Sequence, residues 1–81
     1  MKTEAEILEV IRIFLKKHLQ IHPDEITRES RMDELEMDSL DSVTMIVEIE
    51  NFIRKGIDAE ILEECERVGD LLDHCLKLQN A

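Results

Sequence analysis

Among the residues whose types could do chemistry, Ser39 has the most informative surroundings. It lies in the run Leu35-Glu36-Met37-Asp38-Ser39-Leu40-Asp41, where a long apolar-periodic segment begins. A serine hydroxyl attacks a substrate only when a neighbouring base takes its proton and a further group orients that base. The three histidines, His18, His22 and His74, lie outside this run and form no triad pattern with it. No other constellation of acid, base and nucleophile is visible, so the chain reads as a non-enzyme and Ser39 as an attachment point.

The position suits a phosphate ester. Asp38 reads as the N-cap of a helix and Asp41, three residues on, stands where a capping-box acid belongs. A helix starting there surrounds Ser39 with unpaired backbone N–H groups and the positive end of the helix dipole, and both favour a phosphoryl group. Aspartate followed by serine is also common at helix starts merely because both residues cap well. The pair therefore acquires functional meaning only from its setting.

That setting reads as helical throughout. Thr3-Glu4-Ala5-Glu6 has the form of a capping box, Ile7, Ile11, Phe14 and Leu15 follow at helical spacing, and Lys16, Lys17 and His18 suit a C-terminal turn. This predicts a first helix over 4–19. The segment 20–37 predicts a long connection without regular structure, pinned by Ile26, Met32 and Leu35; such loops tend to be functional. A second helix starts near Asp38 with a core stripe of Leu40, Val43, Ile46, Val47 and Ile53, widened by Met45, Ile49 and Phe52, and Arg54, Lys55 and then Gly56 mark its stop. Asp58 predicts a short third helix to about Cys65. Val68, Leu71, Leu72 and Cys75 predict a fourth, running to about Gln79. Nothing alternates with period two, so the expected fold is an all-α four-helix bundle, one domain over 1–81, with three longer helices and a short third one.

Composition narrows the function classes. Eighty-one residues bury only about 60 to 65 per cent of the unfolded surface, which leaves little room for an enclosed active site. Twenty acidic against ten basic residues give a formal charge of −10, repelling nucleic acid and anionic membrane surfaces and favouring partners with basic patches. With two Phe, no Trp and no Tyr, platforms for base stacking are missing too. No apolar run is long enough to span a bilayer and no signal-peptide pattern is present, so no membrane insertion and a cytoplasmic location are expected. Cys65 and Cys75 fit that compartment as reduced thiols, Cys75 as a small buried hydrophobe. The acidic cluster of Asp33, Glu34, Glu36, Asp38 and Asp41 lacks the ordered ligands and glycine of a calcium loop. His18 and His22 straddle a helix end, so no metal site is expected.

Asp38-Ser39-Leu40 followed by Asp41 and Val43, preceded by Leu35 and continued through Ile57, Val68 and Leu72, resembles the acyl carrier protein family over about 5–78. The resemblance implies that a phosphopantetheinyl transferase moves 4′-phosphopantetheine from coenzyme A onto the Ser39 hydroxyl, with Asp38 helping to position that enzyme's magnesium. The arm's thiol then carries an acyl group as a thioester. Partners implied are acyl-loading and acyl-processing enzymes with basic docking patches, met by Asp38, Leu40, Asp41, Glu48 and Glu50, and the carrier is expected to be a monomer. Val43, Met45, Ile46 and Ile49 are the candidate lining for a sheltered acyl chain. The chain departs from the common pattern at Glu36, where glycine is frequent, at Thr44 and Asn51, where acids are frequent, and at Asp58, where proline is frequent. These departures leave a specialised fatty-acid, polyketide or related pathway open beside housekeeping synthesis. An aminoacyl, peptidyl or D-alanyl carrier would use the same serine, and an unmodified acidic helical adaptor would share the same core.

Overall fold

In the computed structural model, which describes residues 1–20 and 22–80, the first helix begins at the capping box. The Thr3 hydroxyl accepts from the Glu6 N–H at 3.2 Å and the Glu6 carboxylate accepts from the Thr3 N–H at 3.0 Å. Two orphan donors are thereby satisfied reciprocally. Helix α1 spans Glu4–Leu19 and buries Ile7, Ile11, Phe14 and Leu15, as the spacing predicts. It stops where Gln20 turns into the left-handed region.

The connection to the next helix departs from the sequence expectation of an irregular loop. It contains two short 3-10 turns, Pro23–Glu25 and Asp33–Leu35. Between them the backbone pairs with the start of the last helix: Met32 N–H donates to Glu66 O at 2.9 Å, Val68 N–H to Ser30 O at 2.8 Å, and Gly69 N–H to Arg28 O at 2.7 Å. Backbone groups left over by a long loop need such partners, which only tertiary folding supplies. Ile26 and Leu35 are buried anchors as expected, while Met32 is half-buried.

Helix α2, Ser39–Ile53, starts at the predicted cap but is turned differently from the predicted stripe. Its buried face is Met45, Ile46, Ile49 and Ile53, whereas Leu40, Val43 and Val47 are 74%, 48% and 45% exposed. The helix is apolar enough that two overlapping stripes both satisfy spacings of three and four, so periodicity alone leaves its rotation undetermined. It stops at the first of the three expected stop residues, which takes the left-handed shape in place of the glycine. Arg54, with φ 59°, takes the left-handed cap and donates its N–H to Glu50 O at 2.7 Å, while Gly56 has an ordinary backbone.

The predicted short third helix is present, as a 3-10 helix over Ala59–Glu64 rather than an α-helix. The Asp58 carboxylate caps it by accepting from the Glu60 N–H at 3.0 Å. Six residues with only half-buried Ala59, Ile61 and Leu62 suit the tighter helix, which occurs in short pieces. Helix α3, Val68–Asn80, buries Val68, Leu71, Leu72 and Cys75. At its start the Asp70 carboxylate accepts from the Arg67 and Glu66 N–H groups, both at 2.9 Å. Those two bonds hold Asp70 below the usual carboxylate range.

Helix α1 packs against α2 and α3, and α2 against the 3-10 helix, around one core to which the three α-helices, the 3-10 helix and the Asp33–Leu35 turn contribute. Among the described residues no polar or charged side chain is buried. Both cysteines are free; burial first, then the neighbouring Cys65, pushes the Cys75 thiol up to about 11, and burial also raises Cys65. Both thiols are therefore protonated and unreactive at neutral pH.

Arg28 clasps the bundle from outside, bonding Glu4 of α1 and both carboxylate oxygens of Asp73 on α3, at 3.1 and 3.0 Å. Gly69 permits this approach. A Cβ there would lie 2.9 Å from the Arg28 carbonyl oxygen and 3.0 Å from its Nε. The helix-propensity gain of Gly→Ala is about 1 kcal/mol, and overpacking costs about 1–3 kcal/mol. Because a backbone oxygen must move, Gly69→Ala is expected to destabilise by up to about 2 kcal/mol. Urea unfolding of the variant checks this, and an increase in stability would refute the close approach.

Candidate functional site

Asp38 precedes α2 with extended backbone and uses Oδ1 to accept the Asp41 N–H at 2.8 Å, while its carbonyl accepts the Ser42 N–H at 3.0 Å. Two of the first-turn donors are thus satisfied. Those of Ser39 and Leu40 have no intrahelical acceptor, by the geometry of a helix start. The reciprocal half of a capping box, from Asp41 back to the Asp38 N–H, is absent among the described residues; aspartate is one methylene shorter than the glutamate that usually makes it.

Ser39 is the first residue of α2 and is exposed. Its hydroxyl makes no hydrogen bond among the described residues. It opens on a cleft of about 360 Å³ between the start of α2 and the 3-10 helix, lined by Met37, Asp38, Ser39, Ser42, Val43, Ala59, Glu60, Leu62 and Glu63. A second cavity of about 260 Å³ shares Met37, Ser42 and Leu62 with the first and continues to Met32, Asp33 and Cys65. Together they form a groove along the seam of α2 and the 3-10 helix. No histidine lines either part, and among the described residues none of the carboxylates there hydrogen-bonds the hydroxyl. The arrangement fits a phosphate ester: an accessible oxygen, open N–H donors, the positive helix end, and apolar walls beside it.

Of the residues singled out in the sequence, the structure brings Asp38, Ser39 and Val43 to this cleft. Met45, Ile46 and Ile49 are buried in the closed core instead, so the four expected lining residues do not share one chamber. Met37, Ser42, Ala59 and Leu62 are lining residues that sequence reasoning did not name. The apolar Met37 just before the cap and Leu62 in the short helix were the available signals.

The exposed face of α2 carries Leu40, Val43 and Val47 as an apolar strip, with Asp38 at its start and Asp41 and Glu48 along one flank. Glu50 does not join them. Its carboxylate accepts the Ile57 N–H at 2.7 Å and ties the α2 terminus to the following loop. Glu36, two residues before Asp38, stands in the left-handed region with φ 53°. Glycine takes this backbone shape at no steric cost, whereas a side chain is disfavoured there.

A family model described as "Phosphopantetheine attachment site" matches residues 9–75. An "Acyl carrier protein 2" of Ralstonia nicotianae is 32% identical over 71 residues, covering 86% of this chain and 88% of that protein. An "Acyl carrier protein" of Chlorobium phaeobacteroides is 34% identical over 76 residues, covering 93% and 97%. One from Thermotoga maritima is 27% identical over 78 residues, covering 95% and 96%.

Proposed function

The chain belongs to the acyl carrier protein family, whose members bear covalent 4′-phosphopantetheine and catalyse nothing themselves, and from that premise we propose that Ser39 is the attachment residue. The single observation that supports it most is the exposed hydroxyl at the N-terminus of α2, facing the groove and unpaired among the described residues. When bound, the group supplies a terminal thiol that holds an acyl chain as a thioester. The chain's own residues orient and present it. The Ser39 and Leu40 N–H groups would be available to the ester phosphate, Asp38 keeps α2 starting at the serine and would assist the transferase's magnesium, and the bundle is what partner enzymes would recognise. Tethering turns each delivery into a reaction at an effective concentration set by the arm.

The cargo is an acyl intermediate of fatty-acid, polyketide or related specialised synthesis in the cytoplasm. No helix among the described residues is long and apolar enough to cross a membrane. Loading is tested by incubating the chain with coenzyme A, magnesium and a phosphopantetheinyl transferase. Intact mass spectrometry is expected to show one added phosphopantetheinyl group, localised to Ser39 by fragmentation. Addition elsewhere, or a bare polypeptide when another carrier is fully loaded, defeats the proposal.

Docking uses Leu40 and the strip beside it, with Asp38, Asp41 and Glu48 meeting basic residues of the transferase and of acyl-loading and acyl-processing enzymes. Charge pairs at an exposed interface steer encounter and are screened within about 8 Å at physiological salt. Affinity for the transferase is therefore expected to fall as salt rises, with most of the loss in the association rate. Binding that is indifferent to ionic strength would remove the acidic flank from the interface.

An attached acyl chain enters the groove past Val43 and Leu62, and reaches Met45, Ile46 and Ile49 only if the core repacks around it. Medium-length acyl loading is then expected to shift methyl NMR signals of Val43 and Leu62 most. Shifts confined to residues outside the groove would refute this route.

A further inference from the structure

The groove beside Ser39 has apolar walls but an uneven charge. Its outer part, about 360 Å³, carries the carboxylates of Asp38, Glu60 and Glu63 and is lined by no lysine or arginine. Glu60 and Glu63 are three residues apart in a 3-10 helix, where side chains at that spacing eclipse, so they stand one above the other on a single wall. Asp38 stands on the opposite wall, at the start of α2. Among the described residues none of these three carboxylates has a salt bridge. The inner part, about 260 Å³, differs, because its one acid, Asp33, is held by Arg31 at 3.2 Å.

We propose that the three free carboxylates make the groove select its cargo by charge. It shelters acyl groups whose far end is neutral or bears an amine, and it leaves carboxylate-ended acyl groups on the arm in solvent. This rests on Ser39 as the attachment residue and on the groove as the shelter.

An acyl group borne on Ser39 must pass the outer part to reach the inner one. A neutral chain gains by leaving water for the apolar surface of Met37, Val43 and Leu62. A charged end costs solvation on entering, whatever its sign. The sign then decides between them. A cleft of this volume is comparable in width to the Debye length, about 8 Å at physiological salt, so the carboxylates on its walls are screened only in part. The arm's own phosphate, esterified at the mouth, adds to the same sign. An ammonium end recovers part of its lost solvation from these acids, while a carboxylate end meets repulsion from both walls. The sheltered fraction of the two should differ by roughly tenfold. A dicarboxylic acyl group therefore stays presented to enzymes, and an aliphatic or amino-bearing one is held back until a partner draws it out.

Three arms of matched length test this, each transferred to Ser39 from its coenzyme A thioester: octanoyl, 8-aminooctanoyl and 7-carboxyheptanoyl. Intact mass shows that each is loaded, and methyl NMR reads the shifts of Val43 and Leu62. The octanoyl and amino-ended groups are expected to move both signals. The carboxylate-ended group is expected to leave them near their positions with the bare phosphopantetheine arm. Glu60 and Glu63 are exposed, so the double variant Glu60→Gln with Glu63→Gln keeps the fold and should shrink the difference between the two charged arms severalfold. Equal shifts from the charged arms in the wild type overturn the proposal, as does a difference that the double variant keeps in full. Octanoyl that moves neither signal refutes the groove as the shelter, and the selection with it. A chain that takes up no arm refutes the attachment itself.

Discussion

Ser39→Ala is expected to abolish loading while leaving the fold intact. The side chain is exposed and its hydroxyl has no hydrogen-bond partner among the described residues, and alanine is a good helix former, so stability should change by no more than about 0.5 kcal/mol. With the acceptor oxygen gone there is nothing to esterify, and the mass should stay at that of the bare chain under conditions that load the wild type completely. Unchanged circular dichroism and thermal midpoint show that the loss is chemical. A variant that still gains the group would move the attachment point elsewhere.

The neighbouring Asp38 requires a finer substitution, because its carboxylate also caps α2 through the Asp41 N–H. Asparagine caps about as well as aspartate. Asp38→Asn should therefore keep the stability and remove only the negative charge. If Asp38 assists the transferase's magnesium, loading should slow by about 10- to 100-fold, the range seen when groups supporting a metal site are lost. A normal loading rate would leave Asp38 with capping alone.

The second large effect separates two adjacent residues of α2. Ile46 is buried and Val47 is 45% exposed, although both belong to the stripe predicted from spacing. Ile46→Ala removes buried methyl and methylene groups and leaves a cavity, costing about 2–4 kcal/mol. A domain of this size has only about 4–12 kcal/mol in total. The variant should therefore unfold at a much lower urea concentration. Val47→Ala should change stability by about 0.5 kcal/mol or less. Its effect should appear instead as weaker binding to the transferase, because Val47 lies in the exposed strip beside Leu40. Equal destabilisation by the two substitutions would mean that α2 is turned as the spacing alone suggested.

The bounds of α1 and the starts of α2 and α3 were legible because their signals are local. Thr3 with Glu6 and Asp38 with the Asp41 N–H are contacts between residues three apart, and the chain carries them into any fold that contains those helices. Ser39, the proposed attachment residue, was singled out on similar local grounds, and the role itself came from the resemblance of the residues around it to the acyl carrier protein family. The serine is a residue type at a helix start, in a chain with no catalytic partners for it. The 3-10 rather than α character of the short helix that Asp58 caps, the two turns in the loop and the left-handed caps at Glu36 and Arg54 were not. Each is selected by where a neighbouring element lies, and no local residue type announces it.

The sequence by itself determined that this chain is small, acidic and all-helical with Ser39 at the first turn of its second helix, and its resemblance to a family pointed to a carrier. Capping, helical period and charge are properties of neighbouring residues and survive without any knowledge of packing. Only the tertiary structure decided which side of α2 faces the core, that Glu50 binds the Ile57 N–H and so leaves the acidic flank, and that the 3-10 helix encloses a groove beside the serine. It also set Glu60 and Glu63 on one wall of that groove. These depend on distances between elements far apart in sequence, and an apolar helix fits more than one rotation until its neighbours have docked.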